Sequence, residues 1–162
     1  MSLRAVVFDL NGVIVDDVGW HRGALQARPG IVQLIEALDQ AGVLLAVATS
    51  GRRLLARQAL AELGLADRFA AVIGMEDVAR PKPDPAPYRT ALQRLGVAPV
   101  DAVAIDDSPA GVRSARAAGL AVIALPAEGS LRWGFADAHL VTDSPADLSV
   151  AVLEMLAQLP RD

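Results

Sequence analysis

Short apolar runs alternate along the chain with longer segments of helical periodicity. The apolar runs cover residues 4–8, 43–48, 70–73, 102–105 and 121–125, and apolar residues recur every three or four positions over residues 30–41, 52–63, 86–95, 109–118 and 145–158. Because a run such as Leu44-Leu45-Ala46-Val47-Ala48 is apolar on both faces, the strands are expected to form a parallel sheet covered by helices on both sides. The first four helical segments are followed by glycines that can end a helix in a left-handed conformation: Gly42, Gly64, Gly96 and Gly119. The pattern predicts a doubly wound α/β fold with three layers, α/β/α.

The length and the apolar content restrict the class of protein. A chain of 162 residues can bury one substantial core, so a single domain over residues 1–162 is predicted. No apolar segment approaches the ~20 residues of a membrane span, and no charged N-terminal region precedes a long apolar run. No membrane partner is therefore expected, and the predicted location is cytoplasmic.

The ionisable residues narrow the chemistry. The chain has no cysteine and two histidines, which excludes thiolate catalysis and zinc–thiolate centres and leaves oxygen atoms as the ligands of any metal. A net charge of −4 and a pI near 5.1 argue against a nucleic-acid partner. Arg52, Arg53 and Arg57 form a local basic patch, which is interpreted as a solvated helix face.

Polar residues are concentrated just after the predicted strands, which is where open α/β sheets bind ligands. Four loops supply them: Asp9 and Asn11 after the first strand, Thr49, Ser50 and Gly51 after the second, Arg80-Pro81-Lys82-Pro83 before the third helix, and Asp106, Asp107 and Ser108 after the fourth strand. A phosphate group needs a divalent cation and a fixed positive charge around its oxygens, and a carboxylate nucleophile needs its repulsion from that phosphate neutralised. The set therefore suits phosphoryl transfer.

Each of these residue types also has a purely structural role. Thr49 or Ser50 could cap the second predicted helix, and Asp106 or Asp107 could cap the fourth. Lys82, which lies between two prolines, could be a solvated loop residue.

Four segments are similar, in order, to the signature motifs of the haloacid dehalogenase superfamily, and most closely to its β-phosphoglucomutase-like phosphatases. They are Phe8-Asp9-Leu10-Asn11-Gly12-Val13, Ala48-Thr49-Ser50-Gly51, Arg80-Pro81-Lys82-Pro83-Asp84-Pro85 and Ile105-Asp106-Asp107-Ser108-Pro109-Ala110-Gly111. One such segment alone would be a weak signal, but four in this order, each beside a predicted strand or helix, form a specific one. The resemblance covers essentially the whole chain and implies a Rossmann-like core.

The resemblance also implies a covalent mechanism and a cofactor. Asp9 would attack the substrate phosphorus and form an aspartyl-phosphate, which water then hydrolyses. The implied cofactor is Mg²⁺, a cation that prefers oxygen ligands. It would be held by Asp9, the backbone carbonyl of Asn11, and Asp106 and/or Asp107.

The remaining motif residues would bind the phosphorylated substrate. Thr49 would hydrogen-bond a phosphate oxygen together with the backbone amides of Ser50 and Gly51, and Lys82 would neutralise charge between the nucleophile and the phosphoryl group. His21 follows the nucleophile loop, where related enzymes often carry a histidine, and its role stays open.

Two departures from the family pattern affect the expected activity. Asn11 stands where the phosphatases of the family carry an aspartate that transfers a proton, and losing such acid–base help costs about 10²–10⁴ in rate. Turnover is therefore expected to be slow, least so for acyl or aryl phosphates.

The second departure is the interval between Asp9 and Thr49, which is too short for the family's helical cap domain. Only residues 16–28 lie where the cap would be inserted. An open site discriminates small sugars less well and accepts a large substrate more readily, so the phosphorylated substrate could be a small molecule or a macromolecule. A neighbouring subunit of a homo-oligomer could cover the site.

The leading hypothesis is a Mg²⁺-dependent, capless phosphohydrolase. A catalytically impaired phosphate-binding or regulatory protein is the alternative, because Asn11 cannot exchange a proton. A dehalogenase-type hydrolase is a minor alternative, since that branch also lacks the second aspartate. A response-regulator receiver domain uses similar residues, but its acidic pair follows the first strand, whereas Asp106 and Asp107 follow the fourth.

Overall fold

The computed structural model describes residues 3–16 and 23–157. Within these ranges six parallel strands form one sheet, which is flanked by five helices. The elements in chain order are β1 Ala5–Phe8, α1 Ile31–Gln40, β2 Leu44–Ala48, α2 Arg53–Glu62, β3 Ala71–Ile73, α3 Ala86–Leu95, β4 Ala102–Asp106, α4 Pro109–Ala117, β5 Ala121–Ala124, β6 Leu140–Val141 and α5 Pro145–Ala157.

The order of the strands creates a crevice in the sheet. The strands lie in the order β3-β2-β1-β4-β5-β6, so the chain moves outward from β1 to β3 and then returns to place β4 beside β1. Phe8 at the end of β1 pairs with Ile105 of β4. Ligands of open α/β sheets bind outside the carboxyl ends of the strands at such a switch point. The residues that follow β1 and end β4 are therefore in the position to form a site.

The sheet is buried on both faces, as expected for a parallel sheet between two helical layers. Side chains alternate along β1, so that Val6 and Phe8 pack on the face covered by α1 and α5, whereas Ala5 and Val7 pack on the face covered by α3 and α4. All four residues of β1 are buried. Close packing on both sides fixes the end of β1, and with it the position of the residue that follows.

The structure confirms the five strands and five helices predicted from periodicity, to within one residue at each end. The four glycines predicted to end helices have φ values of 77°, 71°, 66° and 91° in chain order. The strand Leu140–Val141 is absent from the prediction, because two residues are too short to show a period. No helix within the two described ranges is both long and apolar enough to cross a membrane.

The segment 16–28, which the sequence analysis places where a cap domain would be inserted, is described only in part. His21 lies outside the described residues, together with its neighbours in the range 17–22. At the two described ends of the segment, the N–H of Asp16 donates to the carbonyl of Gln26 at 2.9 Å, and Val15 forms a bridge with Ala27. The two ends therefore run side by side next to the end of β1.

Candidate active site

Asp9 follows β1 directly and lies at the crevice between β1 and β4. Its N–H donates to the carbonyl oxygen of Ile105 at 2.9 Å, and its side chain is 13% exposed. Burial raises the pKa of Asp9 well above its ordinary value, Lys82 opposes this shift, and the carboxylates of Asp106 and Asp107 add to it. The anionic form of Asp9 therefore depends on the positive charge of Lys82 beside it.

Lys82 bridges two of these carboxylates. Its Nζ lies 2.8 Å from Asp9 Oδ1 and 2.8 Å from Asp106 Oδ2, and its side chain is 5% exposed. Burial alone would lower the pKa of Lys82, but the two carboxylates outweigh it and raise the pKa above the ordinary value. The interpretation of Lys82 as a solvated loop residue is therefore wrong. A compact ammonium group held at this point stays positively charged.

Asp106 ends β4, is fully buried, and accepts hydrogen bonds at both carboxylate oxygens. Oδ2 accepts from Lys82 and, at 2.6 Å, from the hydroxyl of Tyr88. Oδ1 accepts from the backbone N–H and the hydroxyl of Ser108, both at 3.0 Å. A carboxylate has about four lone-pair positions, and these four donors fill them. Asp106 is thus held rigidly and in turn holds Lys82.

The N-caps of α4 and α2 are not the residues that the sequence analysis offers as candidates. Ser108 is the N-cap of α4, because its Oγ accepts from the N–H of Gly111 at 3.0 Å. The N-cap of α2 is Arg52, which makes no side-chain capping bond. The structural alternatives, in which the acidic pair caps α4 and the hydroxyl pair after β2 caps α2, are therefore wrong.

Gly111 allows α4 to approach Asp106 closely. A Cβ atom at this position would lie 1.9 Å from Asp106 Oδ2, so the helix or the carboxylate would have to move. We expect Gly111→Ala to lower the free energy of unfolding by about 1–3 kcal/mol, the usual cost of overpacking, measured by urea denaturation. Gly51→Ala is the matched control, since the nearest atom to its Cβ would be Thr49 Oγ1 at an ordinary 3.5 Å. Equal stability losses in the two variants would contradict the close approach.

Three carboxylates form a cluster that could hold a cation. Asp9, Asp106 and Asp107 each offer an oxygen, and these atoms all lie within 4.8 Å of one another. The loop after Asn11 packs on this cluster, because Gly12 has a φ of 79° and a Cβ there would lie 2.0 Å from Asp107 Oδ2. This all-oxygen donor set fits Mg²⁺.

A cleft of about 240 Å³ opens over the cluster. The structure brings the sequence-predicted site residues together here, with Asp106 buried beneath; the residues that line the cleft are Asp9, Asn11, Thr49, Ser50, Gly51, Lys82, Asp107 and Ser108. Thr49 is buried, and its Oγ1 accepts from the N–H of Gly51 at 3.1 Å. Asn11 is exposed at the rim. Hydroxyl groups, one ammonium and carboxylates thus face a single polar space large enough for a phosphate.

Two residues that contact the site are missing from the sequence prediction. Tyr88 resembles an ordinary core aromatic at helical spacing, yet its hydroxyl reaches Asp106. Arg28 is part of the partly described segment, and its Nη1 donates to the carbonyl of Gly12 at 2.7 Å, which supports the loop that carries Asn11.

Tyr88 should resist ionisation until the protein unfolds. Burial raises the pKa of Tyr88 well above its ordinary value, and the negative charges of Asp106 and Asp9 add to the shift. A raised pKa in the folded state contributes stability that is complete below the ordinary tyrosine pKa of about 10 and is lost as the pH rises further. We expect the absorbance of tyrosinate to increase only together with loss of the far-ultraviolet circular dichroism signal. Because Tyr88 is the only tyrosine, an increase in the folded protein would contradict this burial.

The family of the chain follows from comparison with known proteins. A model of the haloacid dehalogenase-like hydrolases matches residues 19–125, and the chain belongs to this family. A phosphoglycolate phosphatase of Rhodospirillum rubrum is 42% identical over 97 residues, which are 60% of this chain and 40% of that protein. Protein CbbY of Rhodobacter capsulatus is 36% identical over 143 residues, which are 85% of this chain and 61% of that protein. The chain thus spans about half the length of these relatives.

Solved structures share the fold. CbbY from Rhodobacter sphaeroides in complex with phosphate has a TM-score of 0.78 at 26% identity, over 90% of this chain and 96% of that one. β-Phosphoglucomutase from Clostridium difficile has a TM-score of 0.80 at 17% identity, over 96% and 98% of the two chains. The Rossmann-like core implied by the sequence motifs is confirmed.

Proposed function

We propose that this chain is a Mg²⁺-dependent phosphohydrolase that acts through an aspartyl-phosphate on Asp9. The observation that carries the proposal is the contact of Lys82 with both Asp9 and Asp106 beside a polar cleft. A carboxylate attacks a phosphate only when their mutual repulsion is neutralised, and an ammonium 2.8 Å from the nucleophile is in the position to do this. The relatives named as phosphatases favour this reaction over dehalogenation.

The other residues of the cleft would bind and orient the phosphoryl group. The Thr49 hydroxyl and the backbone amide of Ser50 precede α2, where hydrogen-bond donors favour an anion. The N–H of Gly51 donates to Thr49 Oγ1 and would reach the phosphate only by sharing that bond. Lys82 would contact a phosphoryl oxygen while it stays bound to Asp106. In the first step the bond from phosphorus to Asp9 forms and the bond to the leaving oxygen breaks; in the second, water releases inorganic phosphate and restores Asp9.

The metal ligands would be Asp9, the backbone carbonyl of Asn11 and Asp107. Asp106 is better suited to fixing Lys82, because four hydrogen-bond donors already occupy its oxygens. Of the two aspartates that the sequence leaves open as ligands, Asp107 is therefore the one we assign to the metal. Bound Mg²⁺ would supply positive charge to the phosphoryl oxygens and reduce the repulsion between Asp9 and the substrate.

The proposed substrate is a phosphate monoester or an acyl phosphate, either a small molecule or a group on a macromolecule. Phosphoglycolate phosphatase among the relatives and the phosphate-bound CbbY structure support a phosphorylated ligand. The short segment 16–28 would leave the cleft open, so a single-domain, capless protein with little selectivity for small substrates is proposed. A neighbouring subunit could cover the cleft. The expected location is cytoplasmic.

A second candidate function is a phosphate-binding or regulatory protein with little turnover. Asn11 favours this alternative, because its amide cannot protonate a leaving oxygen or activate water. The metal and phosphate contacts would be retained, since the metal would bind the backbone carbonyl of Asn11 and not its side chain. The two candidates therefore differ in turnover and not in ligand binding.

The test measures release of inorganic phosphate from acetyl phosphate and p-nitrophenyl phosphate by the purified chain. We expect slow turnover with Mg²⁺, no turnover with excess chelator, and an acid-stable phosphate adduct on the peptide that contains Asp9 during turnover. Binding of inorganic phosphate is measured in parallel by calorimetry with Mg²⁺ present. Binding without any Mg²⁺-dependent turnover would overturn the phosphohydrolase and support the second candidate.

A further inference from the structure

The only lysine and the only tyrosine of the chain meet at one oxygen atom. Of the 15 lysine and arginine residues a single one is lysine, and it lies in the site, as does the single tyrosine. Lys82 Nζ and the Tyr88 hydroxyl bind Asp106 Oδ2 at 2.8 and 2.6 Å, and Lys82 Nζ lies 5.0 Å from the centre of the Tyr88 ring. Tyr88 is fully buried and belongs to α3. The phenol therefore contacts the charged site, although it forms part of the core.

A hydrogen bond to Asp106 Oδ2 changes how strongly this oxygen attracts Lys82. A donor at 2.6 Å withdraws negative charge from the oxygen, and the withdrawal is felt strongly in a buried environment. Without the hydroxyl, Asp106 would attract the ammonium more strongly. Lys82 would then move toward Asp106 and away from Asp9 and the cleft.

We propose that Tyr88 is a positioning residue for phosphoryl transfer, which acts through Asp106 to set where the Lys82 ammonium lies between Asp9 and the phosphoryl group. This inference rests on the proposed function. Tyr88 is not among the residues that line the cleft, and its hydroxyl donates to Asp106. Its effect on the reaction must pass through the shared oxygen of Asp106.

Tyr88→Phe removes the hydroxyl and keeps the ring beneath Lys82. We expect kcat for p-nitrophenyl phosphate to fall about 3- to 10-fold, the effect of one hydrogen bond. KM should stay within about twofold, because the phosphate is bound mainly by the loop after β2 and by the metal. Thr142→Val is the matched control: Thr142 is buried, and its Oγ1 donates to the carbonyl of Ala124 at 3.0 Å, outside the cleft. The control should keep the kcat of the wild type.

The effect of Tyr88→Phe in a protein that lacks Lys82 distinguishes a positioning role of Tyr88 from a role in packing. In a Lys82→Met background the Tyr88→Phe substitution should change the residual kcat by less than about 1.5-fold, because the group it positions is gone. The same loss of kcat in the presence and absence of Lys82 would overturn the inference, since Tyr88 would then act through packing alone.

A measurement without turnover keeps the inference testable if the chain proves to be inactive or if Tyr88→Phe is poorly folded. In protein labelled with ¹⁵N-lysine, Lys82 gives the only lysine ammonium signal, and 3-fluorotyrosine replaces Tyr88 alone. Fluorination makes the hydroxyl a stronger donor, so the Lys82 signal should shift in one direction with 3-fluorotyrosine and in the other with Tyr88→Phe. An unchanged signal in both proteins would overturn the inference while leaving the phosphohydrolase intact. Absence of turnover in the wild type together with a shifted signal would overturn the proposed function, and with it the role in phosphoryl transfer, but would support the effect of Tyr88 on the position of Lys82.

Discussion

Asp9→Asn is expected to abolish phosphate release while the protein stays folded. The amide keeps the shape of the side chain and can still accept a hydrogen bond from Lys82, but it is not a nucleophile toward phosphorus. We expect kcat for acetyl phosphate to fall by at least about 10³-fold, as is common when a covalent nucleophile is removed. The measurement is release of inorganic phosphate with Mg²⁺, and the adduct on the Asp9 peptide should be lost with it.

The same variant should be more resistant to unfolding than the wild type when both are free of metal. The pKa of Asp9 is raised by burial and by the neighbouring carboxylates, so its contribution to stability is complete below about pH 4 and is lost as the pH rises through the raised value. The Tm of the metal-free wild type should therefore fall below the Tm of Asp9→Asn as the pH increases above about 4. Added Mg²⁺ should raise the Tm of the wild type more than that of the variant, because it binds the native carboxylate cluster.

Comparing the rates of the wild type and Asp9→Asn also identifies the source of any measured turnover. A contaminating phosphatase would give the same rate in preparations of both proteins. Equal rates in the wild type and in Asp9→Asn would contradict the assignment of Asp9 as nucleophile. Equal Tm values across the pH range would contradict the electrostatic crowding around it.

The fold could be predicted from the sequence because its signals are local. Each strand of β1 to β5 is an apolar run, each helix repeats apolar residues at its own period, and glycines mark the helix ends. The sixth strand could not be predicted, because it consists of two residues that pair only once β5 is in place. Strand order is also nonlocal, and the sequence does not predict it. The rule that ligands bind outside the carboxyl ends of parallel strands predicts only that the polar loops lie at the same edge of the sheet.

The sequence could indicate the site residues but not the role that each of them has. Asp106 and Asp107 are adjacent acidic residues, and successive side chains at the end of a strand point to opposite sides. Only the structure shows that Asp106 is the fully buried one and that it is enclosed by four donors. Tyr88 could not be assigned to the site, because its distance to Asp106 depends on how α3 packs against the sheet. The single lysine and the single tyrosine are informative only after their contact is known.

Asn11→Asp is expected to raise the turnover of alkyl phosphates. The new carboxyl group would lie two residues beyond Asp9 at the rim of the cleft, where it could protonate an alkoxide leaving group and later activate water. We expect kcat/KM for β-glycerophosphate to rise by about 10²-fold, at the lower end of general acid–base effects, because a fourth carboxylate near Asp9 and Asp107 adds repulsion toward the substrate. The kcat/KM for acetyl phosphate should gain much less, because its leaving group needs no proton and kcat/KM does not include the hydrolysis of the aspartyl-phosphate that both substrates share.

The ratio of the two rates is the decisive measurement, since a change in folding or in metal affinity would alter both substrates alike. Asn11→Ala is the control: it keeps the backbone carbonyl proposed to bind the metal and removes only the amide, so both rates should remain near those of the wild type. A decrease of both rates in Asn11→Ala would mean that the amide itself contributes to the reaction. If Asn11→Asp leaves the β-glycerophosphate rate unchanged, the proton must be transferred by another group, and the asparagine would not be the cause of slow turnover.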